Sequence, residues 1–327
     1  MKILKKIFGS PSSENETEQT ETRRKNQAET LKYDGIRAKQ IHEYAIASRC
    51  LGMAFEMNPD DMETCSYLAE VYIYTGESEK AWPLLQRLNE QEPQNIKILL
   101  AMGQVAARLE MWQETDEACQ KALQIDEQLP AAYLILGHSA HRQGDDIMAI
   151  AHLTKAITLD ETLDEAFRQR AEVLCSMGQY NESRKDADTL IKRQPEGEAG
   201  WMLKGDIERN AGLTAEAINA YAQVRRLNPF NGEAFLKEGD CLLAENKPEQ
   251  ALSLYNEAIE LQPDFTEAYK ARGNAKMLLG DKNGALEDLK KTLELSPNAE
   301  DAIKDGEYSN IENEIENKYK QLNPYGF

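Results

Sequence analysis

The chain has 327 residues, with 57 Asp and Glu against 38 Lys and Arg, a formal net charge of −19. That balance argues against general affinity for nucleic acid or an anionic membrane, both of which need clustered positive charge. Hydrophobic residues make up 41% and charged residues 29%, so a core can be buried; the length alone allows about two average domains, and protein partners are the class left open.

The first nine residues place Ile3, Leu4, Ile7 and Phe8 on one helical face and Lys2, Lys5 and Lys6 on the other. Two turns are too few to fold alone, and any membrane contact is expected only through residues 1–9. Lys5 and Lys6 break the apolar run, so it lacks a signal-peptide core, and no stretch reaches the ~18 apolar residues of a membrane helix. Residues 10–27, rich in Ser, Glu, Thr and Asn, are expected to complete a flexible leader over 1–27. The five cysteines, Cys50, Cys65, Cys119, Cys175 and Cys241, form no Cys-x-x-Cys pair, which reads as free thiols in a reducing compartment; the expected location is cytoplasmic.

From Ala28 onward the sequence is periodic. Six of the eleven prolines, Pro59, Pro93, Pro195, Pro229, Pro263 and Pro297, share one phase of a 34-residue period, with Glu127 and Glu161 in the two gaps. Numbering those positions 32 sets eight repeats end to end over 28–299. Position 8 is always Gly or Ala (Gly35, Ala69, Gly103, Gly137, Ala171, Gly205, Gly239, Gly273), and position 20 is always small (Ala47, Ala81, Thr115, Ala149, Ser183, Ala217, Ala251, Ala285). Positions 4 and 24 are mostly large. Small residues on two helices beside large ones predict a close-packed helical hairpin per repeat, which a bulkier side chain would overpack by about 1 to 3 kcal/mol. Gly76, Gly144, Gly178, Gly212 and Gly280, with Asn246, fall at position 15, where the first helix must end in a residue tolerating positive φ. The position-32 proline is expected to end the second helix, Pro130 to open a first helix in the repeat that lacks it, and Pro83 to disturb the helix it enters.

This pattern resembles the tetratricopeptide repeat family: a large residue at 4, Gly or Ala at 8, small residues at 20 and often 27, and Pro at 32. It covers 272 of the 327 residues, eight times 34. The resemblance implies an all-α, right-handed superhelical solenoid whose concave groove holds a partner's extended peptide or helix. Charged residues at positions 7 and 11 (Arg170, Lys204, Glu208, Glu238, Arg272, Lys276) depart from the pattern, so the later repeats are expected to rely on positions 4, 24 and the second helix.

The spacing of positions 2, 5, 9, 12 and 13 marks a second stripe on each first helix, which the resemblance assigns to the groove. There the candidate binding residues are Tyr74, Lys97, Gln104, Arg108, His138, His141, Arg142, Arg168 and Arg209, with an apolar shelf from Tyr67, Leu100, Leu134 and Ile135. The group Arg108, His138, His141 and Arg142 is expected to receive an anionic feature of a protein ligand, unless internal pairing to Glu172 or other groove acids consumes it. The family's clamp for a terminal carboxylate is matched only by Lys270 and Asn274, so a receptor of that type is not expected.

After the repeats, Tyr308, Ile311, Ile315, Tyr319 and Leu322 recur at helical spacing and predict a capping helix, with a tail, over 300–327. No catalytic set emerges. His138 and His141 lack further metal ligands at helical spacing, and Cys175, expected near Arg168 and Arg209, lacks a base and an oxyanion site. Neither a phosphate loop nor a serine elbow is present. The reading is a nonenzymatic scaffold or adaptor without a cofactor; the alternative is a membrane-adjacent adaptor localised by residues 1–9.

Overall fold

A computed structural model describes residues 13–295, with side chains from residue 22 on. The amphipathic peptide at 1–9 and the capping helix and tail at 300–327 lie outside the described residues. Sixteen α-helices, and no strand, are found among the described residues, and the fold is an all-α helical-repeat solenoid. The chain divides into two compact units, residues 1–163 and 164–327, with the division falling between the fourth and fifth repeats.

The first unit contains α1 (Ser13–Gln40), α2 (Tyr44–Met57), α3 (Met62–Tyr74), α4 (Ser78–Gln91), α5 (Ile96–Arg108), α6 (Trp112–Ile125), α7 (Pro130–Arg142) and α8 (Asp146–Leu159). The second contains α9 (Asp164–Ser176), α10 (Tyr180–Arg193), α11 (Glu198–Asn210), α12 (Thr214–Leu227), α13 (Gly232–Ala244), α14 (Pro248–Leu261), α15 (Thr266–Leu278) and α16 (Lys282–Glu294). From the second repeat on, the first helix occupies positions 1 to 13. The second helix starts at 17 in all eight repeats and ends at 30 in the first seven.

The close approach predicted from positions 8, 20 and 24 is what holds each hairpin. All eight position-20 side chains are fully buried, and where that residue is hydroxylic its oxygen donates to a backbone carbonyl: Thr115 to Met111 at 2.8 Å and Ser183 to Ala171 at 2.7 Å. Position 24 lies directly over position 8. A Cβ added to Gly137 would meet Leu153 Cγ at 2.6 Å, and one added to Gly239 would meet Tyr255 Cε1 at 2.6 Å, too close for any real contact. The five position-15 glycines have φ of 74 to 83°, and Asn246 has 58°.

Three expectations are corrected. The segment expected to be flexible is helical from Ser13, because α1 extends the first helix of repeat 1 backwards, and no Gly or Pro interrupts it before Gly35. The second helix ends at position 30 with or without the proline, since Ile125 and Leu159 close α6 and α8 ahead of Glu127 and Glu161. Its stop comes from the cap, where the position-31 N–H bonds the position-27 carbonyl, as in Asp126 to Ala122 and Asp160 to Ala156. Pro83 lies inside an uninterrupted α4, where it removes one ladder bond on the exposed side.

The charged residues at positions 7 and 11 of the second unit are all paired across helices, so these positions contribute to packing after all, within hairpins and between successive ones. Arg170 forks onto Asp186 (2.7 and 2.9 Å), Arg272 onto Asp288 (2.6 and 2.9 Å) and Arg225 onto Glu238 (2.6 and 3.0 Å). Glu208 receives Arg184, while Lys204 reaches Asp188 and Lys276 reaches Asp288. Asp186, Glu208, Glu238 and Asp288 are buried, and buried carboxylates persist only when paired and hydrogen-bonded.

Candidate functional site

Within each unit the first helices touch one another from repeat to repeat (α1 with α3, α5 with α7; α9 with α11, α13 with α15), whereas each second helix contacts chiefly the first helices on either side. The closer row is the inner one, so the first helices line the concave side of each unit, with positions 2, 5, 9, 12 and 13 along it.

In the first unit that side has a recess of about 440 Å³ between α3, α4 and α5. Glu63, Ser66, Glu70 and Ile73 line it from α3, and Lys97 and Ile98 from α5; Leu85 and Leu88 form its floor. Two of its acids are already compensated. Lys32 bonds Glu63 at 2.9 Å and Asp61 at 3.0 Å, and Lys39 bonds Glu70. The Lys39 ammonium also lies 5.0 Å from the Tyr67 ring centroid, which fixes that ring against the core. Lys97 is exposed and forms no ion pair among the described residues, while Gln104 is exposed and Leu100 and Leu134 are half-buried beside it on α5 and α7.

In repeats 2, 3, 4 and 6 the position-13 side chain reaches back to the preceding repeat, a contact that sequence spacing does not show. Tyr74 stacks on Tyr44 with ring centroids 5.5 Å apart, yet stays 68% exposed. Arg108 Nη1 donates to the Ile73 carbonyl at 2.8 Å, and Arg142 Nη2 to Glu110 Oε1 at 2.9 Å. The Arg142 guanidinium also lies 5.8 Å from the Trp112 centroid, and His138 meets the same indole edge-on at 6.1 Å. Trp112 and Glu110 were not among the candidates, because position 17 carries no periodic signal and Glu110 replaces the usual glycine.

The expected cationic group is therefore only partly assembled. Arg108 and Arg142 occupy the same position on adjacent helices, and His138 joins Arg142 at Trp112, but His141 is drawn to Asp146 in the first turn of α8, with Nδ1 at 2.6 Å from its carboxylate. Neither arginine pairs with Glu172, which in the second unit bonds Arg168 at 2.5 Å.

Arg168 is held by both Glu165 and Glu172, and these acids push its pKa further up. Arg209 is 3.8 Å from Asp206. It lines a recess of about 310 Å³ with Glu172, Cys175, Asn210 and Lys237. Cys175 is buried, with Asn210 Nδ2 at 3.3 Å from its sulfur, another position-13 contact. The acids of this stripe are tied down from within: Tyr221 donates to Asp206 at 2.7 Å and Tyr255 to Asp240 at 2.8 Å, each tyrosine reaching the stripe past its position-8 glycine. Burial raises the pKa of Asp240, against the Tyr255 hydrogen bond and the charges of Arg209 and Lys237.

Among the described residues no group of three or more His, Cys, Asp or Glu is placed to hold a metal, and no helix is long and apolar enough to cross a membrane.

Comparison with known proteins gives the same architecture. The chain is similar in structure to a tetratricopeptide repeat protein from Parabacteroides merdae (16% identity, TM-score 0.59, covering 73% of this chain and 94% of that one). It is also similar to PilW, a type IV pilus biogenesis factor (14% identity, TM-score 0.57, 64% and 96%), and to the Cut9–Hcn1 assembly of the APC/C (15% identity, TM-score 0.55, 83% and 52%). At these identities the likeness is one of fold. No curated protein matches the sequence. Models described as tetratricopeptide repeat match residues 130–163, 168–232, 206–264 and 236–300. Eight in-phase repeats, helices with constant bounds and these matches make the chain a member of the tetratricopeptide repeat family.

Proposed function

We propose that the protein is a nonenzymatic interaction scaffold whose first unit holds an extended peptide or helix of a protein partner along α3, α5 and α7. The observation that carries this reading is the pairing of Arg108 and Arg142 at one position of adjacent inner helices, beside exposed or half-buried Tyr74, Leu100 and Leu134. Both arginines are held by contacts that a ligand can replace, a carbonyl and an exposed carboxylate. Such pairs are worth only ~0 to 1 kcal/mol. An anionic feature of the partner meets these cations while its apolar side chains take the shelf and the recess beside Lys97. With a net charge of −19 the chain is not suited to nucleic acid.

The test is quantitative affinity capture with the wild-type chain and with the Arg108→Ala/Arg142→Ala variant, monitored by circular dichroism. Loss of captured partners at unchanged helicity is expected; equal capture by both proteins refutes the assignment.

A further inference from the structure

Glu110 is at position 15 of the third repeat, where five other repeats have glycine, and its φ is 58°. The left-handed region is costly for a residue with a Cβ; Asn and His are enriched there, as Asn246 and His42 illustrate, but Glu is not. The turn itself needs nothing from this side chain. It is closed by backbone bonds from Glu110 to Ala107 at 3.2 Å and from Met111 to Ala106 at 2.9 Å, which glycine supports equally well. What the side chain does is accept from Arg142 at 2.9 Å, in a pair whose members are 66% and 51% exposed. An exposed pair of this kind adds little stability, so it does not offset the backbone strain. The pair occupies a defined place, with the guanidinium over Trp112 and His138 at the edge of the indole.

We propose that Glu110 is a tethered competitor: its carboxylate fills the place on the Arg142–Trp112 shelf that a carboxylate of the partner peptide takes. This rests on reading the inner face of α5 and α7 as the peptide groove. A ligand must displace Glu110 to bind. A bare anion then gains only the contact that Glu110 gives up. A carboxylate with an adjoining apolar group also gains the Trp112 face, so Glu110 sets specificity for acidic segments that contain apolar residues.

The experiment uses the full chain and fluorescence anisotropy with two labelled octapeptides. One alternates leucine and glutamate and is amidated at its C-terminus; the other alternates leucine and glutamine and ends in a free carboxylate. Glu110→Gly and Glu110→Gln should each tighten binding of at least one probe by about two- to fivefold, and Arg142→Ala should weaken it. The probe that responds tells whether a side-chain or a terminal carboxylate is received. Glu110→Gln keeps the backbone and the side-chain length, so the result does not depend on the glycine variant alone. If Arg142→Ala weakens binding while both Glu110 variants bind as wild type, the competitor is overturned and the groove reading stands. If Arg142→Ala has no effect either, or neither probe binds any of the proteins at about 1 mM, both are overturned.

Discussion

Replacing Glu208 by Ala tests whether the second unit depends on its cross-helix ion pairs. The Glu208 side chain, on α11, is 5% exposed and accepts from Arg184 of α10 through Nε at 2.9 Å and Nη2 at 2.7 Å. These bonds, chiefly the hydrogen bond to Glu208, raise the Arg184 pKa. Removing one partner of a buried pair costs about 3 to 5 kcal/mol because the other charge is left without compensation. Arg184 is 23% exposed and reaches water in part, which places the expected loss near the lower end, about 3 kcal/mol or roughly a hundredfold in the local folding equilibrium. Since the two compact units need not unfold together, the appropriate assay is hydrogen exchange of the α10 and α11 amides, run beside urea denaturation. A double-mutant cycle with Arg184→Ala should return a coupling of about 2 kcal/mol or more. The exposed Lys185–Glu182 pair in the same helix should return less than about 0.5 kcal/mol. A Glu208–Arg184 coupling as small as that of the control would refute the argument.

Gly239→Ala should cost about 1 to 3 kcal/mol in urea denaturation, because the new methyl meets a Tyr255 ring that Asp240 holds in place; Gly273→Ala, with its nearest neighbours at 3.3 Å and beyond, should be close to neutral. Asp240→Asn should stabilise the chain at neutral pH. The folded-state pKa of Asp240 is raised by burial, so wild-type stability falls as pH rises through the window above the usual aspartate value of 3.8; the advantage of Asn should therefore vanish as pH drops to that value, which thermal melts from pH 3.5 to 7 will show. Iodoacetamide at pH 8 should label Cys50 alone in the native protein, since burial pushes the Cys119 thiol up to about 12 and Cys241 to about 11; peptide mapping reads the result.

The hairpin geometry was legible in the sequence because it rests on pairs at fixed positions: Gly137 under Leu153 and Gly239 under Tyr255 repeat at 8 and 24, and period reveals them. The ion pairs were not, because partners of positions 7 and 11 occur at 21, 23, 25 and 28 with either sign, as in Arg170–Asp186 and Glu238–Arg225, so no one spacing marks them. Proline misled in one respect. It marks the phase of the repeat, but α6 and α8 end on the same backbone cap without it. At the candidate site the stripe on α5 and α7 was readable from 3-4-3 spacing, whereas the Glu110–Arg142–Trp112 cluster joins side chains from two repeats and depends on a left-handed turn that only the backbone reveals. The contact of His141 to Asp146 was not legible either, because Asp146 lies across the turn on α8 and outside the stripe.

In the proposed function the partner lies along the inner helices of the first unit. Photo-crosslinking locates it directly, with p-benzoylphenylalanine in place of exposed Gln104 on α5 and, as the control, of exposed Lys121 on α6. Crosslinks to the captured partner from position 104 and none from 121 are the expected result; crosslinks from 121 and none from 104 would contradict the account.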